Sequence, residues 1–188
     1  GVEQGILKGM YLLRETKAKH KPRVQLLGSG TILREVLAAA EMLESEWGVA
    51  ADVWSAASFT ELRRDGLACE RWNLLHPEAK PKVPYVTEML QKRPAGPIVA
   101  ASDYVKTFAD QVRPFIPRDR AYRVLGTDGF GRSDSRAKLR HFFEVDRCFV
   151  TLAALRSLVD SGEAKAKTVS DAIRKYGINP DKADPTTV

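Results

Sequence analysis

Two glycine-bearing strings are the first places to look for chemistry in this 188-residue chain: "LLGSGTIL", with Gly28, Ser29 and Gly30, and "VLGTDGFGRSDSR", with Gly126, Asp128, Gly129, Phe130, Gly131, Arg132, Ser133 and Asp134. Backbone amides at a helix start can hold a phosphate, and glycines let a ligand or another chain approach the main chain closely. The first string is only half of a dinucleotide fingerprint. Its third glycine position is Leu33, and the nearest acid, Asp52, precedes its strand when a ribose ligand should follow one. A tight structural turn is the better reading. The second string leaves a strand, and in open α/β sheets the loops beyond the carboxyl ends of strands are the favoured functional edge. There Phe130 can anchor in a neighbouring surface and Arg132 can bridge carboxylates or carbonyls. The bland alternative is an internally capped turn with Ser133 or Asp134 as the helix cap.

The remaining reactive side chains do not assemble by pattern. His20, His76 and His141 are far apart and lack a ligand partner at helical spacing, so surface or packing roles are their default. Cys69 and Cys148 form no CxxC pair, and no secretory leader is visible, which fits a reducing cytosol. A triad can be drawn on paper from Ser58, Cys69, His76, His141 and Asp128, but no GxSxG elbow, P-loop or HExxH pattern supports one. In "SFTELRRDGLACERWNLLHP", Phe59, Arg63, Arg64, Arg71, Trp72 and His76 suit either an interface or an amphipathic helix lying on a sheet.

Composition narrows the class. The chain is 44% hydrophobic and carries a formal charge of +6, with no run of apolar residues long enough to span a membrane. Its densest basic cluster, Lys17, Lys19, His20, Lys21 and Arg23, has no interleaved aromatics, so it reads as a solvated linker and not as a nucleic-acid surface. The first residue is Gly1, and the opening "GVEQGILKGMYLLRE" is already patterned, which suggests a piece of a longer protein.

The elements that must position these residues follow from periodicity. Apolar runs at 24–27, 53–57, 98–101 and 122–125 read as buried strands. Helices are expected over 31–47, 60–75, 85–91, 104–112 with Asp103 as cap, 133 or 134 to 143, 146–159, and 167–176. Residues 11–14 form either a fifth strand or part of an opening helix. Strands alternating with helices imply a largely parallel sheet covered on both faces.

Taken in order, "VQLLGSGTILREVLAAAEML", "DVWSAASFTELRRDG", "CERWNLLHP" and "LGTDGFGRSDSRAKLRHFFEVD" resemble the transketolase-like C-terminal domain of the homodimeric bacterial-type pyruvate dehydrogenase decarboxylating component. The resemblance covers nearly the whole chain. It implies an α/β fold of three layers with a mixed, mostly parallel sheet of five strands, one antiparallel, which makes residues 11–14 the extra strand. The expected layout is a leading segment 1–22 with an edge strand and basic linker, a domain 23–178, and a polar tail 179–188. The resemblance also implies a cytoplasmic parent enzyme using thiamine diphosphate and Mg2+ to decarboxylate pyruvate and acetylate the lipoyl group of dihydrolipoyl acetyltransferase. That cofactor is held through a GDG string and a downstream asparagine. Here the nearest string is Thr127-Asp128-Gly129, and the only asparagines are Asn73, upstream, and Asn179, well downstream. No catalytic, cofactor or metal residue is therefore assigned to this chain. Gly126, Asp128, Gly129, Phe130, Gly131, Arg132 and Asp134 are the expected contacts with the preceding domains or the dimer mate. Neither a nucleic acid nor a membrane is expected as a partner. A regulatory or anion-binding α/β module is the competing reading.

Overall fold

The computed structural model describes residues 1–18 and 22–188. Five strands, β1 (Met10–Arg14), β2 (Arg23–Gly28), β3 (Ala50–Ala56), β4 (Ile98–Ala101) and β5 (Tyr122–Leu125), form one sheet in the order β1-β3-β2-β4-β5. The pairs β2–β3, β2–β4 and β4–β5 are parallel, whereas β1 runs antiparallel to β3 at the edge. Residues 11–14 are thus strand, with Met10 opposite Ala56. The preceding helix α1 (Glu3–Leu7) ends before Gly9, whose φ of 96° turns the chain into β1.

Period-two alternation divides the strand side chains between two cores. Val24, Leu26, Ala51, Val53, Val99 and Ala101 face one layer of helices. That layer consists of α2 (Leu33–Glu46), α7 (Arg147–Asp160) and α8 (Ala166–Lys175). Leu27, Trp54, Ala56, Ile98 and Ala100 face the other, made by α3 (Phe59–Leu75), α4 (Tyr85–Gln91) and α5 (Lys106–Asp110). The remaining helix, α6 (Arg136–Phe142), leads from the β5 loop to α7. Two polar residues lie fully buried inside strands. Gln25 accepts from the Trp54 indole at 2.8 Å and donates to the Leu90 and Pro94 carbonyls. Asp52 sits among two arginines and a backbone amide.

Several expectations need correction. The third strand starts at Ala50, so Asp52 lies within it and does not precede it. Arg23 is the first residue of β2 and pairs with Asp52, so it is not part of a solvated linker. Lys19, His20 and Lys21 lie outside the described residues. The predicted helix over 31–47 begins as a single 3-10 turn, Gly30–Ile32, before α2 proper. Asp103 caps no helix: α5 starts at Lys106 without a side-chain cap, and the Asp103 carboxylate accepts instead from the Thr31 hydroxyl at 2.9 Å. Ser135, not Ser133 or Asp134, caps α6. Asp146 does cap α7, accepting from the Phe149 amide.

Candidate interface at the carboxyl edge of the sheet

β2 is followed by neighbours on both sides, β3 after one crossover and β4 after the next, so the winding reverses between β2 and β4. Ligands and partners favour the crevice at such a point. Here hydrogen bonds tie the strand ends and the loops that follow them to one another. The Ser29 amide donates to the Ala101 carbonyl, the Ser102 amide to that of Leu125, and the Thr127 amide to that of Tyr104, at 2.9–3.2 Å. Thr31 and Thr127 both reach Asp103, the first through its carboxylate and the second through its carbonyl. The "GSG" turn is tight: a Cβ on Gly28 would lie 2.8 Å from the Leu33 Cα. Its backbone is packed against the start of α2.

The loop after β5 divides into a packed root and an exposed crown. Gly126 is buried, and a Cβ there would sit 2.6 Å from the Tyr104 carbonyl oxygen and 2.7 Å from the Lys106 nitrogen. The Asp128 carboxylate accepts from the Lys106 amide at 3.1 Å, holding the root against α5. Gly129 adopts φ 117°, and its α-carbon faces the Pro185 carbonyl so closely that any Cβ would overlap it. Asp134 accepts from the Ser135 amide and lies 3.8 Å from Lys138. The crown is different: Phe130 is 71% exposed, and Gly131 and Arg132 are exposed with it. The Arg132 guanidinium lies over the Phe142 ring, 4.3 Å from its centroid.

Residues 179–188 support this loop from behind. Lys182 donates to the Phe142 carbonyl at 2.7 Å and pairs with Glu144, and Pro185 is buried against Gly129. The Asp184 carboxyl is held below its ordinary value by the backbone and hydroxyl hydrogen bonds of Thr186. Gly129→Ala combines a left-handed backbone with a backbone collision, so it should cost about 1–3 kcal/mol. Denaturant unfolding measures that loss, and limited proteolysis should show earlier cleavage in 179–188 than in the unsubstituted chain.

The side chains considered for nucleophilic chemistry are dispersed into local roles. Ser58 caps α3, accepting from the Glu61 amide. Burial raises the Cys69 thiol and pushes that of Cys148 up to about 11, away from thiolate character at neutral pH. His76 stacks on Trp72 at 4.5 Å, while Lys82 lies over the same indole. His141 contacts the Asp146 carboxylate. In the α3 segment Phe59 is buried and Arg64 pairs with Glu61, whereas Arg63 and Arg71 face outward. Among the described residues no three of His, Cys, Asp and Glu come together as a metal-holding group, and no helix is long and apolar enough to cross a membrane.

The fold and this edge define a three-layer α/β domain with a mixed five-stranded sheet and one protruding loop at the strands' carboxyl ends. The chain belongs to the transketolase-like TK C-terminal domain family, which matches residues 9–146. Its sequence corresponds to the C-terminal part of bacterial proteins named pyruvate dehydrogenase E1 component. It is 60% identical over 185 residues to that of Pseudomonas aeruginosa, covering 98% of this chain and 21% of the relative. It is 56% identical to that of Cupriavidus necator, over 100% of this chain and 21% of the relative, and 56% identical to that of Escherichia coli K12, over 98% and 20%. The chain therefore spans about a fifth of the length of the curated relatives it matches. The fold is also that of solved transketolases. One from Campylobacter jejuni superposes with a TM-score of 0.52 at 20% identity, covering 80% of this chain and 19% of that one. One from Leishmania mexicana gives 0.53 at 18% identity, covering 84% and 19%.

Proposed function

We propose that this chain is the assembly domain of a pyruvate dehydrogenase, shaping the dimer in which pyruvate is decarboxylated without touching the reacting atoms. The observation that carries this reading is the pairing of high identity to E1 components with a loop after β5 whose root is held by Lys106 and whose Phe130 is exposed. In this reading thiamine diphosphate and Mg2+ serve the whole enzyme, and the two-carbon unit passes to dihydrolipoyl acetyltransferase in a cytoplasmic complex. The residues present here do not fit the cofactor. Asp128, in the string nearest to a diphosphate motif, accepts from Lys106, and among the described residues no carboxylate cluster offers a cation site.

The loop carrying Gly126, Asp128, Gly129, Phe130, Gly131, Arg132 and Asp134 is the contact with the neighbouring domains or the dimer mate. Its rigid root and exposed aromatic and arginine crown match the make-up of interface anchors. The isolated chain should show no calorimetric binding of thiamine diphosphate with Mg2+ and no consumption of pyruvate. Saturable cofactor binding by the chain alone would overturn the reading.

A further inference from the structure

A cleft of about 520 Å³ opens beside the exposed crown, at the carboxyl ends of β2, β4 and β5. Its floor is apolar, with Ile32, Leu139, Phe143 and Val145, and Phe130 stands at its rim. One wall is α6 and the residues before it, which contribute Arg132, Arg136 and Arg140. These three cations are not equivalent. Arg140 is committed to the buried Glu35 at 2.9 Å. Arg132 rests on the Phe142 ring, and among the described residues neither it nor Arg136 pairs with a carboxylate. The facing carboxylate, Asp103, is engaged by the Thr31 hydroxyl. The cleft thus combines an apolar floor with two guanidinium groups that make no ion pair among the described residues, against one lining carboxylate, Asp103. Directly after Asp103, which lines the cleft, come two more exposed apolar side chains, Tyr104, 62% exposed, and Val105, 43% exposed.

The geometry points to a protein segment as the occupant, one that presents an Asp or Glu carboxylate to Arg132 and Arg136 beside an apolar side chain lying on Ile32, Leu139 and Phe143. Charge complementarity selects the acid, because a guanidinium pairs most strongly with a carboxylate in a bidentate geometry. The extent of the surface selects a chain over a small anion. Tyr104 and Val105 are exposed but do not line the cleft, and an arginine-and-aromatic cluster such as Arg132, Arg136 and Phe130 is the usual composition of a binding hot spot. The inference rests on the assembly reading and names the chemistry of the neighbour that reading requires.

The test uses the full-length enzyme. A photoreactive phenylalanine analogue at position 130 should cross-link to one peptide of a neighbouring domain or of the dimer mate, and that peptide should contain an Asp or Glu next to an apolar residue. Arg136→Glu should lower the cross-linking yield and weaken the contact roughly tenfold, equivalent to about 1.4 kcal/mol. Arg136→Lys should retain most of it, and reversing the charge of the identified carboxylate should restore it in the Arg136→Glu background. Position 136 is exposed, so these variants do not challenge folding. Cross-linking to a peptide without a carboxylate, no intermolecular or interdomain product, or indifference to Arg136→Glu would each overturn the proposal. So would a saturable thermal shift with succinate or inorganic phosphate that blocks cross-linking, which would make the cleft a small-anion site. If the chain still binds no thiamine diphosphate, a cross-link to a peptide without a carboxylate, indifference to Arg136→Glu or a small-anion effect overturns this inference alone, whereas absence of any interdomain or intermolecular product also removes this loop from the contact.

Discussion

Asp52→Ala is expected to remove about 3–5 kcal/mol of folding stability, the range found when one partner of a buried ion pair is deleted. The Asp52 side chain is 0% exposed, and its partners Arg23 and Arg93 are only 11% and 17% exposed. Both carboxylate oxygens are used: Arg23 lies 3.2 Å away, Arg93 lies 3.2 Å away, and the Thr16 amide donates at 2.9 Å. Alanine would strand two guanidinium groups and one amide in a region that water reaches poorly. Arg93 also pairs with Glu15 at 2.7 Å, so it keeps one carboxylate, which argues against a loss beyond that range. Asp52→Asn retains an acceptor for Thr16 and should fall between the two. Urea unfolding at pH 7 measures the difference, and a loss below about 1 kcal/mol for alanine would show that the arginines find water instead. Asp52 and Arg23 sit towards the amino ends of β3 and β2, opposite the cleft, so cross-linking from position 130 should be unaffected in the folded variant.

This cluster also marks the boundary of what the sequence discloses. The strands at 24–27 and 98–101 are visible because parallel strands covered on both faces become short, mostly apolar runs, and the edge strand at 122–125 because its Tyr122, Val124 and Leu125 are apolar around Arg123. The helix over 33–46 is visible because its apolar side chains recur at three and four residues. The buried Gln25 and Asp52 interrupt such runs and carry no local sign of their partners, which lie 65 and 41 residues further on at Leu90 and Arg93. Asp52 therefore looks like a residue outside its strand. Asp103 fails for a related reason. An aspartate before a helical stretch is a normal cap signal, but Thr31, 72 residues away in sequence, captures it across the sheet edge. Ser133 and Asp134 are the cap candidates the pattern suggests, but the turn places Ser135 as the cap instead. The protruding loop was legible as a loop from its glycines. Its division into a root held by Lys106 and Pro185 and a free crown depends on contacts that no local pattern encodes.

Glu35 should be the second large determinant of stability, and its effect should depend on pH. It sits in the first turn of α2, 7% exposed, and joins that helix to two others. One oxygen accepts from Arg140 on α6 at 2.9 Å. The other accepts from the Arg147 side chain at 2.9 Å and backbone amide at 3.1 Å at the start of α7. Arg147 is half-exposed and can rehydrate, so Glu35→Ala should cost about 3 kcal/mol, the lower end for a broken buried pair. Burial alone would raise the Glu35 carboxyl, but the hydrogen bonds and charge of Arg147, with the charge of Arg140, outweigh it and hold the group below its ordinary value of 4.5. The unfolded chain therefore binds this proton more readily than the folded one, and the Glu35 contribution is complete above that ordinary value. It declines as pH falls through the lower folded value. Urea midpoints measured from pH 7 to pH 3 should thus fall more steeply for the unsubstituted chain than for Glu35→Gln, which has nothing to titrate. Parallel curves would show that the arginines do not stabilise the ionised form. Because Arg140 also lines the cleft, loss of Glu35 should loosen α6 and free a third cation beside Arg132 and Arg136. The acid-sensitive joint inside the domain and the surface offered to its neighbour are then coupled through one helix. Glu35→Gln should accordingly alter cross-linking from position 130, whereas Asp52→Asn should not.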